Sequence, residues 1–387
     1  MNAEVKLADL LGSDWIPKGD PRFEQTRRVY NGDIDRRPSG IAQPRSKRLA
    51  IDVVRILGEA GLPYTVRCGG HNVAGRAVGD ETPMLDLGNL TGVEVDSETF
   101  QVRVEGGARW ANVDMKTQQH ALAVPGGIVP STGVGGLTLG GGIGWILPWA
   151  GLTCDNLVQA TVTTTDGEYI TCSADVNPEL LRALRGGGHG LGVVLEFVFR
   201  AHPLAGVIGG WMLFKQDKMS AALECVAELL PEISSQIMIS PALMWRHGSP
   251  VCEVDIVASN AAQSEMTKLT AKLNKFNPME NTLRRTDYLD VQRMTDNPAR
   301  YGMPAYWRSS LRSSFPPGLA TNLVDVFLDA PTTDCLIMIE HYHGAYSNEP
   351  EGGSSYPHRR LPFNILGSLA GREGAEQRPM NAAALLA

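Results

Sequence analysis

Apolar and polar positions follow two different periods along this chain. From Lys47 to Ala60, the residues Leu49, Val53, Ile56, Leu57 and Ala60 share one face at the 3.6-residue period, and Gly61 follows at the natural stop. That spacing predicts a helix. Ser39–Ala42, Tyr64–Arg67, Met84–Leu87, Val93–Val95 and Gln101–Val104 read as short strands, and Ala108–Ala121 reads as a helix. Leu157–Thr165 and Glu168–Cys172 flank Asp166-Gly167 as the arms of a hairpin, and Val193–Phe199 is a further strand. Strands alternating with helices predict an α/β unit that ends near Ala205.

The second half has a different rhythm. Strand-like stretches at Gly210–Phe214, Val251–Val257 and Cys335–Tyr342 are separated by long helical patterns at Ser220–Leu230 and Ala261–Phe276. This predicts an antiparallel sheet covered by helices. The expected division is an N-terminal segment over 1–35, a first domain over 36–205, a second over 206–370, and a small polar tail over 371–387 that we expect to be poorly ordered. No internal repeat is evident.

Charge and cysteine usage narrow the function. The net charge is −7 with no long basic run, which argues against nucleic acid and anionic membrane surfaces as partners. No apolar run reaches the ~20 residues of a membrane span, and the N-terminus has no apolar core of signal-peptide length, so a cytoplasmic protein is expected. The six cysteines are scattered without CxxC or finger spacing, and no metal site is expected.

Glycine changes the picture most, at 42 of 387 residues and strongly clustered. The first cluster, Arg67 to Gly75, follows a strand directly and contains Gly69, Gly70, His71 and Asn72. It matches neither the GxGxxG fingerprint nor the GxxxxGK[ST] loop. A tight turn and an anion-binding loop explain it equally well, with Arg67 available for a phosphate. In the second cluster, Gly126 to Gly144, nine of nineteen residues are glycine. A turn does not require that many; backbone lying against something large and planar does, as does a very closely packed helix. The third cluster, Arg185 to Val194, leads into a strand. Three such clusters in one α/β unit fit a bound dinucleotide.

Taken together, these stretches resemble the FAD-linked oxidases of the vanillyl-alcohol-oxidase superfamily, with a PCMH-type FAD-binding domain, and within them the berberine-bridge-enzyme-like group that includes the bacterial 6-hydroxynicotine oxidases. The resemblance rests on Tyr30-Asn31-Gly32, Val66 to Gly75, Leu85-Asp86-Leu87, Gly133 to Trp145, Gly151 to Leu157 and Leu184 to Gly188. It implies an α+β protein, with an FAD-binding domain of two α/β subdomains followed by a substrate domain. It implies FAD contacts at Arg67, Gly69, Gly70, His71, Asn72, Gly75, Ser131, Thr132, Gly135, Gly136, Gly140, Gly141, Gly144, Asp155, Leu157, Gly192, Val193 and Val194. It also implies a covalent bond from His71 to the flavin. Some relatives add a second link through a cysteine; Val129 stands at that position here, and Cys154 lies elsewhere in the pattern. Thr132 falls where the group places a residue over the flavin that influences oxygen access.

Two departures stand out. In the third cluster, Arg182, His189, Gly190 and Leu191 replace the usual Trp, Gly, Asn and Phe, which predicts weaker FAD contact. The resemblance also implies a closing segment beyond about Leu369 that this sequence lacks.

The implied activity is hydride transfer from a CH–OH or CH–NH donor of a small organic substrate to flavin, with oxygen as the electron acceptor. The alternative is a flavin-binding protein with little turnover. The donor's proton needs an acceptor. The strand Leu336–Tyr342 offers Glu340 and Tyr342 on one face, with His341 and His343 on the other. Tyr342, His343 and Tyr306 are the catalytic candidates, and Trp307 and Arg308 are pocket candidates.

Overall fold

Ser46 starts the first long helix, its hydroxyl accepting a hydrogen bond from Leu49 N at 3.2 Å. The helix runs Lys47–Glu59 and buries Ala50, Val53, Val54 and Leu57, the face its periodicity predicts. It packs with Leu7 and Leu11 of an N-terminal helix, Ala3–Leu11, against Leu85 and Leu87. Beneath lies a four-stranded sheet in the spatial order Trp15–Pro17, Gly40–Ala42, Met84–Asp86, Thr65–Arg67. Its first pair is antiparallel and the other two are parallel. The computed structural model describes residues 2–295, 301–330 and 332–370, so the tail 371–387 lies outside the described residues.

A second, five-stranded sheet follows in the order Val93–Asp96, Gln101–Glu105, Val193–Arg200, Leu157–Thr163, Tyr169–Ser173, antiparallel throughout. The predicted hairpin forms, with Thr163 opposite Tyr169 and Gly167 at φ +82°. The helix expected from Ala108 is shorter, Trp110–Thr117. Arg109 is extended and bridges Gly133, and the Ala108 carbonyl accepts from Val134 N. Tertiary contact with the second glycine cluster therefore delays the helix by two residues.

The second half is an eight-stranded sheet. Its path is Glu280–Asn281, Val207–Lys215, Ser249–Ser259, Ile237–Arg246, Cys335–His341, Phe363–Ala370, Ala305–Arg312, and Arg284–Thr286 also pairs with Val207–Lys215. Helices Met219–Leu229, Gln263–Asn274 and Leu319–Leu328 cover one face, over a core that includes Phe214, Ile256, Ile337, Ile365 and Leu369. Periodicity did not reveal Ile237–Arg246, Phe363–Ala370 or Ala305–Arg312 as strands. Pro241 and Gly367 interrupt two of them, and Arg308, Ser309 and Ser310 make the third polar.

The other face of this sheet turns toward the glycine-rich half. Asn31, almost fully buried, ties the two together: its amide donates to Val73 O (2.8 Å) and Ala305 O (2.9 Å), and its carbonyl accepts from Ala305 N (2.9 Å). No helix among the described residues is long and apolar enough to cross a membrane. All six cysteines are free thiols.

Candidate functional site

The three glycine clusters converge. Gly69 and Gly133 stand backbone to backbone, so a Cβ on either would overlap the other's nitrogen. Gly188 N donates to Leu139 O at 3.2 Å, joining the third cluster to the second. Tyr356 fits between Gly141 (φ +114°) and Gly186 (φ +92°), where a Cβ on either glycine would press on it. Along this seam, Gly136 is exposed, and a Cβ there would meet no protein atom within 4 Å. Gly140 is also exposed, facing the His189 ring. A long surface without side chains thus runs across the first half.

His71 lies at one end of it. Its ring stacks on Tyr30 with centroids 4.5 Å apart, and Tyr301 stands edge-on at 5.9 Å. Nε2 is 2.9 Å from Ser131 Oγ. Burial, reinforced by the Arg109 charge, lowers its pKa to about 4, so the imidazole is neutral at physiological pH.

Several of the residues assigned to the cofactor make contacts that hold the protein together. The Arg67 guanidinium pairs with Asp86 (2.5 Å) and donates to the Thr26 and Arg28 carbonyls, so its donors are engaged within the protein rather than aimed at a phosphate. Asp155 is paired with Arg359 and accepts from Leu152 N at 2.9 Å. The Leu157 carbonyl takes two bonds from Arg185, at 3.0 and 2.8 Å. A Cβ at Gly135 would meet the Gly106 carbonyl at 3.3 Å and the Phe197 ring at 3.6 Å. A Cβ at Gly144 would overlap the Gly126 carbonyl, and one at Gly75 would overlap Ile34. A Cβ at Gly192 (φ +130°) would press on Val162 and Thr163, and Val193 and Val194 lie in register with Thr163 and Val162. Gly70 (φ +67°), Asn72 and Thr132 sit in the loops around His71, where the Asn72 carboxamide accepts from Ala74 N and Thr132 N donates to Val129 O.

The catalytic candidates divide by strand alternation. Tyr306 is opposite Leu369 and packs into the helix-covered core, facing away from the glycine loops. His343 stacks on His341 at 4.6 Å, and His341 stacks on Phe363 at 4.8 Å, again on the helix side. Neither residue belongs to the site. Trp307, on the opposite face from Tyr306, comes within 6.0 Å of the Tyr30 ring. Arg308 shares the Tyr306 face by alternation.

Tyr342 lies on the opposite face, beside Glu340. It is buried with Leu147, Leu152 and Cys154, with Ile143 and Tyr356 packed against them. Its hydroxyl donates to Glu340 Oε2 at 2.6 Å, and Asn364 Nδ2 donates to the same oxygen at 2.7 Å. Burial raises the Glu340 carboxyl above its usual range, while these two hydrogen bonds oppose the rise. Asp255 follows on the same face, paired in register with Ser240. Burial, then the charge of Glu253, pushes its pKa well up. Glu253 is ion-paired with Arg246. Sequence reading missed Asn364, Asp255 and Glu253. Two acids at i, i+2 in the apolar run Val251–Ala258 were the available signal.

Comparison with known proteins finds relatives of this arrangement. Residues 38–173 match the FAD binding domain. An FAD-linked oxidoreductase of Dictyostelium discoideum is 27% identical over 362 residues, 90% of this chain and 77% of that protein. The (R)-6-hydroxynicotine oxidase of Paenarthrobacter nicotinovorans is 35% identical over 204 residues, 53% of this chain and 44% of that protein. The crystal structure of 6-hydroxy-D-nicotine oxidase from Arthrobacter nicotinovorans superimposes with a TM-score of 0.84 at 25% identity, covering 96% of this chain and 85% of that one. The chain thus carries an FAD binding domain over residues 38–173 and is similar over most of its length to an FAD-linked oxidoreductase and to the 6-hydroxy-D-nicotine oxidase structure.

Proposed function

We propose that the protein lays FAD along the glycine seam, links it through His71, and oxidises a CH–OH or CH–NH donor in a small organic substrate, with oxygen reoxidising the flavin. The observation that carries this reading is the Glu340–Tyr342–Asn364 group on the sheet face that meets the glycine loops. The residues fit the cofactor: the seam bares backbone at Gly136, and the neutral His71 ring lies at its end. FAD supplies the hydride acceptor when bound.

The chain's own residues do the rest. Both hydrogen bonds fall on Glu340 Oε2, so Oε1 is the atom placed to receive the proton of the donor OH or NH. A carboxyl raised toward neutral pH is a better base for that step than an ordinary one. Tyr342 and Asn364 fix its orientation. At the other end, Nε2–H of His71 donates to Ser131 Oγ in one tautomer, leaving the Nδ1 lone pair to bond carbon. The similarity to a 6-hydroxynicotine oxidase supports the CH–NH alternative.

The test is a visible spectrum of the purified protein, followed by anaerobic mixing with a panel of amines and secondary alcohols. Flavin absorption that bleaches with one of them is the expected result. A protein that stays colourless after incubation with FAD overturns the reading.

A further inference from the structure

The polar face of the eight-stranded sheet continues past Glu340. Ser240 Oγ donates to Ile339 O (3.2 Å), which sets Ser240 beside Glu340, and the register then runs Ser240, Asp255, Trp211 across the next strands. Trp211 is three strand steps from Glu340, about 14 Å at roughly 4.8 Å per step. At that far edge the face opens into a cleft of about 600 Å³.

This cleft has apolar walls and a cationic rim. Trp211, Met244 and Met294 line it, together with Arg246, Arg284 and Arg293. The Arg246 guanidinium lies 5.8 Å from the centre of the Trp211 ring and is ion-paired with Glu253. Arg284 and Arg293 are exposed and have no ion-pair partner among the described residues. Asp290 is the one carboxylate of the lining, and it already accepts from Thr286 Oγ1 at 2.8 Å. Two uncompensated guanidinium groups over an aromatic wall are suited to a flat ring bearing a carboxylate.

We propose that this cleft binds the anionic end of the substrate, an aryl carboxylate whose oxidised carbon lies about 14 Å away beside Glu340. The proposal rests on the oxidase reading above and narrows it from any small donor to an elongated molecule carrying an acid at one end. Arg284 and Arg293 discriminate by charge, and Trp211 stacks the ring.

The test uses naphthalene-2-carboxylate and its uncharged amide as probes of the FAD-loaded protein, with binding followed by tryptophan fluorescence and calorimetry. The carboxylate should bind about tenfold more tightly than the amide, and that preference should fall with added salt. Arg284→Gln combined with Arg293→Gln should remove the preference while leaving the melting temperature unchanged, because both side chains are exposed. Equal binding of the two probes, no binding of either, or a preference that survives the double substitution overturns the proposal. Glu340→Gln separates the two readings: it should leave carboxylate binding intact while slowing flavin reduction by about 100-fold or more. Carboxylate binding in a protein whose flavin no donor reduces would leave the cleft standing and sink the oxidase reading.

Discussion

In the chemistry proposed here, His71 and Glu340 act one residue at a time. Because the His71 pKa is lowered to about 4, the ring gains charge only below that pH. Flavin attachment should therefore be independent of pH between about 5 and 8. Acid-precipitated protein should keep its colour, and digestion should leave flavin on the peptide containing His71. His71→Ala should release flavin to the supernatant; wholly free flavin in the wild type would refute the link. Val129 offers no second nucleophile, and burial raises the Cys154 thiol far above its usual pKa, so no cysteine peptide should carry flavin.

At Glu340 the sign runs the other way. Its folded pKa is raised, so kcat/KM should rise with pH through a value above the ordinary carboxylate range. Glu340→Gln should lower the flavin reduction rate by about 100-fold or more and abolish that acid limb. The Tyr342 hydrogen bond holds the Glu340 pKa down, so Tyr342→Phe should move the limb to higher pH without removing it. A limb unchanged in both variants would exclude Glu340 as the proton acceptor.

At the scale of elements, glycines of one cluster do different work. Gly133 packs against Gly69 and Cys68, so Gly133→Ala must separate two loops and should reduce both flavin retention and stability. Gly136 faces open space, so Gly136→Leu should leave the cofactor-free fold within about 0.5 kcal/mol of wild type. It should nevertheless abolish FAD retention, since the side chain would occupy the seam. Thermal melts beside the absorbance of the desalted protein distinguish the two effects. A Gly136→Leu protein that keeps its flavin would remove this surface from the binding site.

The whole molecule is held by joints between its halves, and two of them can be tested. Arg359 and Asp155 form a pair with side chains only 7% and 9% exposed, linking the chain after Cys335–His341 to the turn Thr153–Asn156 of the first half. Arg359→Ala leaves a carboxylate buried without its partner and should destabilise by about 3–5 kcal/mol in a denaturant melt. The second joint is Asp114, whose Oδ2 accepts from Gln292 Nε2 at 2.8 Å while Oδ1 has no partner. Burial raises its pKa from 3.8 to about 7, against the Gln292 hydrogen bond. The folded protein then holds a proton that the unfolded chain releases, so between about pH 4 and 7 stability should fall as pH rises. Asp114→Asn mimics the protonated acid. It should flatten that slope, melt with wild type near pH 4, and melt at a higher temperature at pH 8. An identical pH dependence in both proteins would show that Asp114 ionises normally.

Local pattern alone determined much of this protein. The helix Lys47–Glu59, the hairpin at Asp166-Gly167 and the strand Val193–Arg200 follow from side-chain period and turn residues, which act over a few positions. The glycine clusters marked the seam along which we propose that FAD lies, because baring so much backbone has few other uses. What period cannot specify is direction: alternation divides Ala305–Arg312 and Cys335–His341 into two faces without saying which one meets the glycine loops. Tyr306 and His343 were therefore assigned to the site while they lie on the helix side, and Trp307 and Glu340 hold the open face. The pairing of Arg67 was decided the same way, by an Asp86 carboxylate nineteen residues on that only sheet pairing brings alongside. Asp114 and Gln292 are 178 residues apart, and Asn31 and Ala305 are 274 apart. Such contacts are decided by the order of strands in the sheets, because packing two halves face to face places side chains together that no local interaction selects.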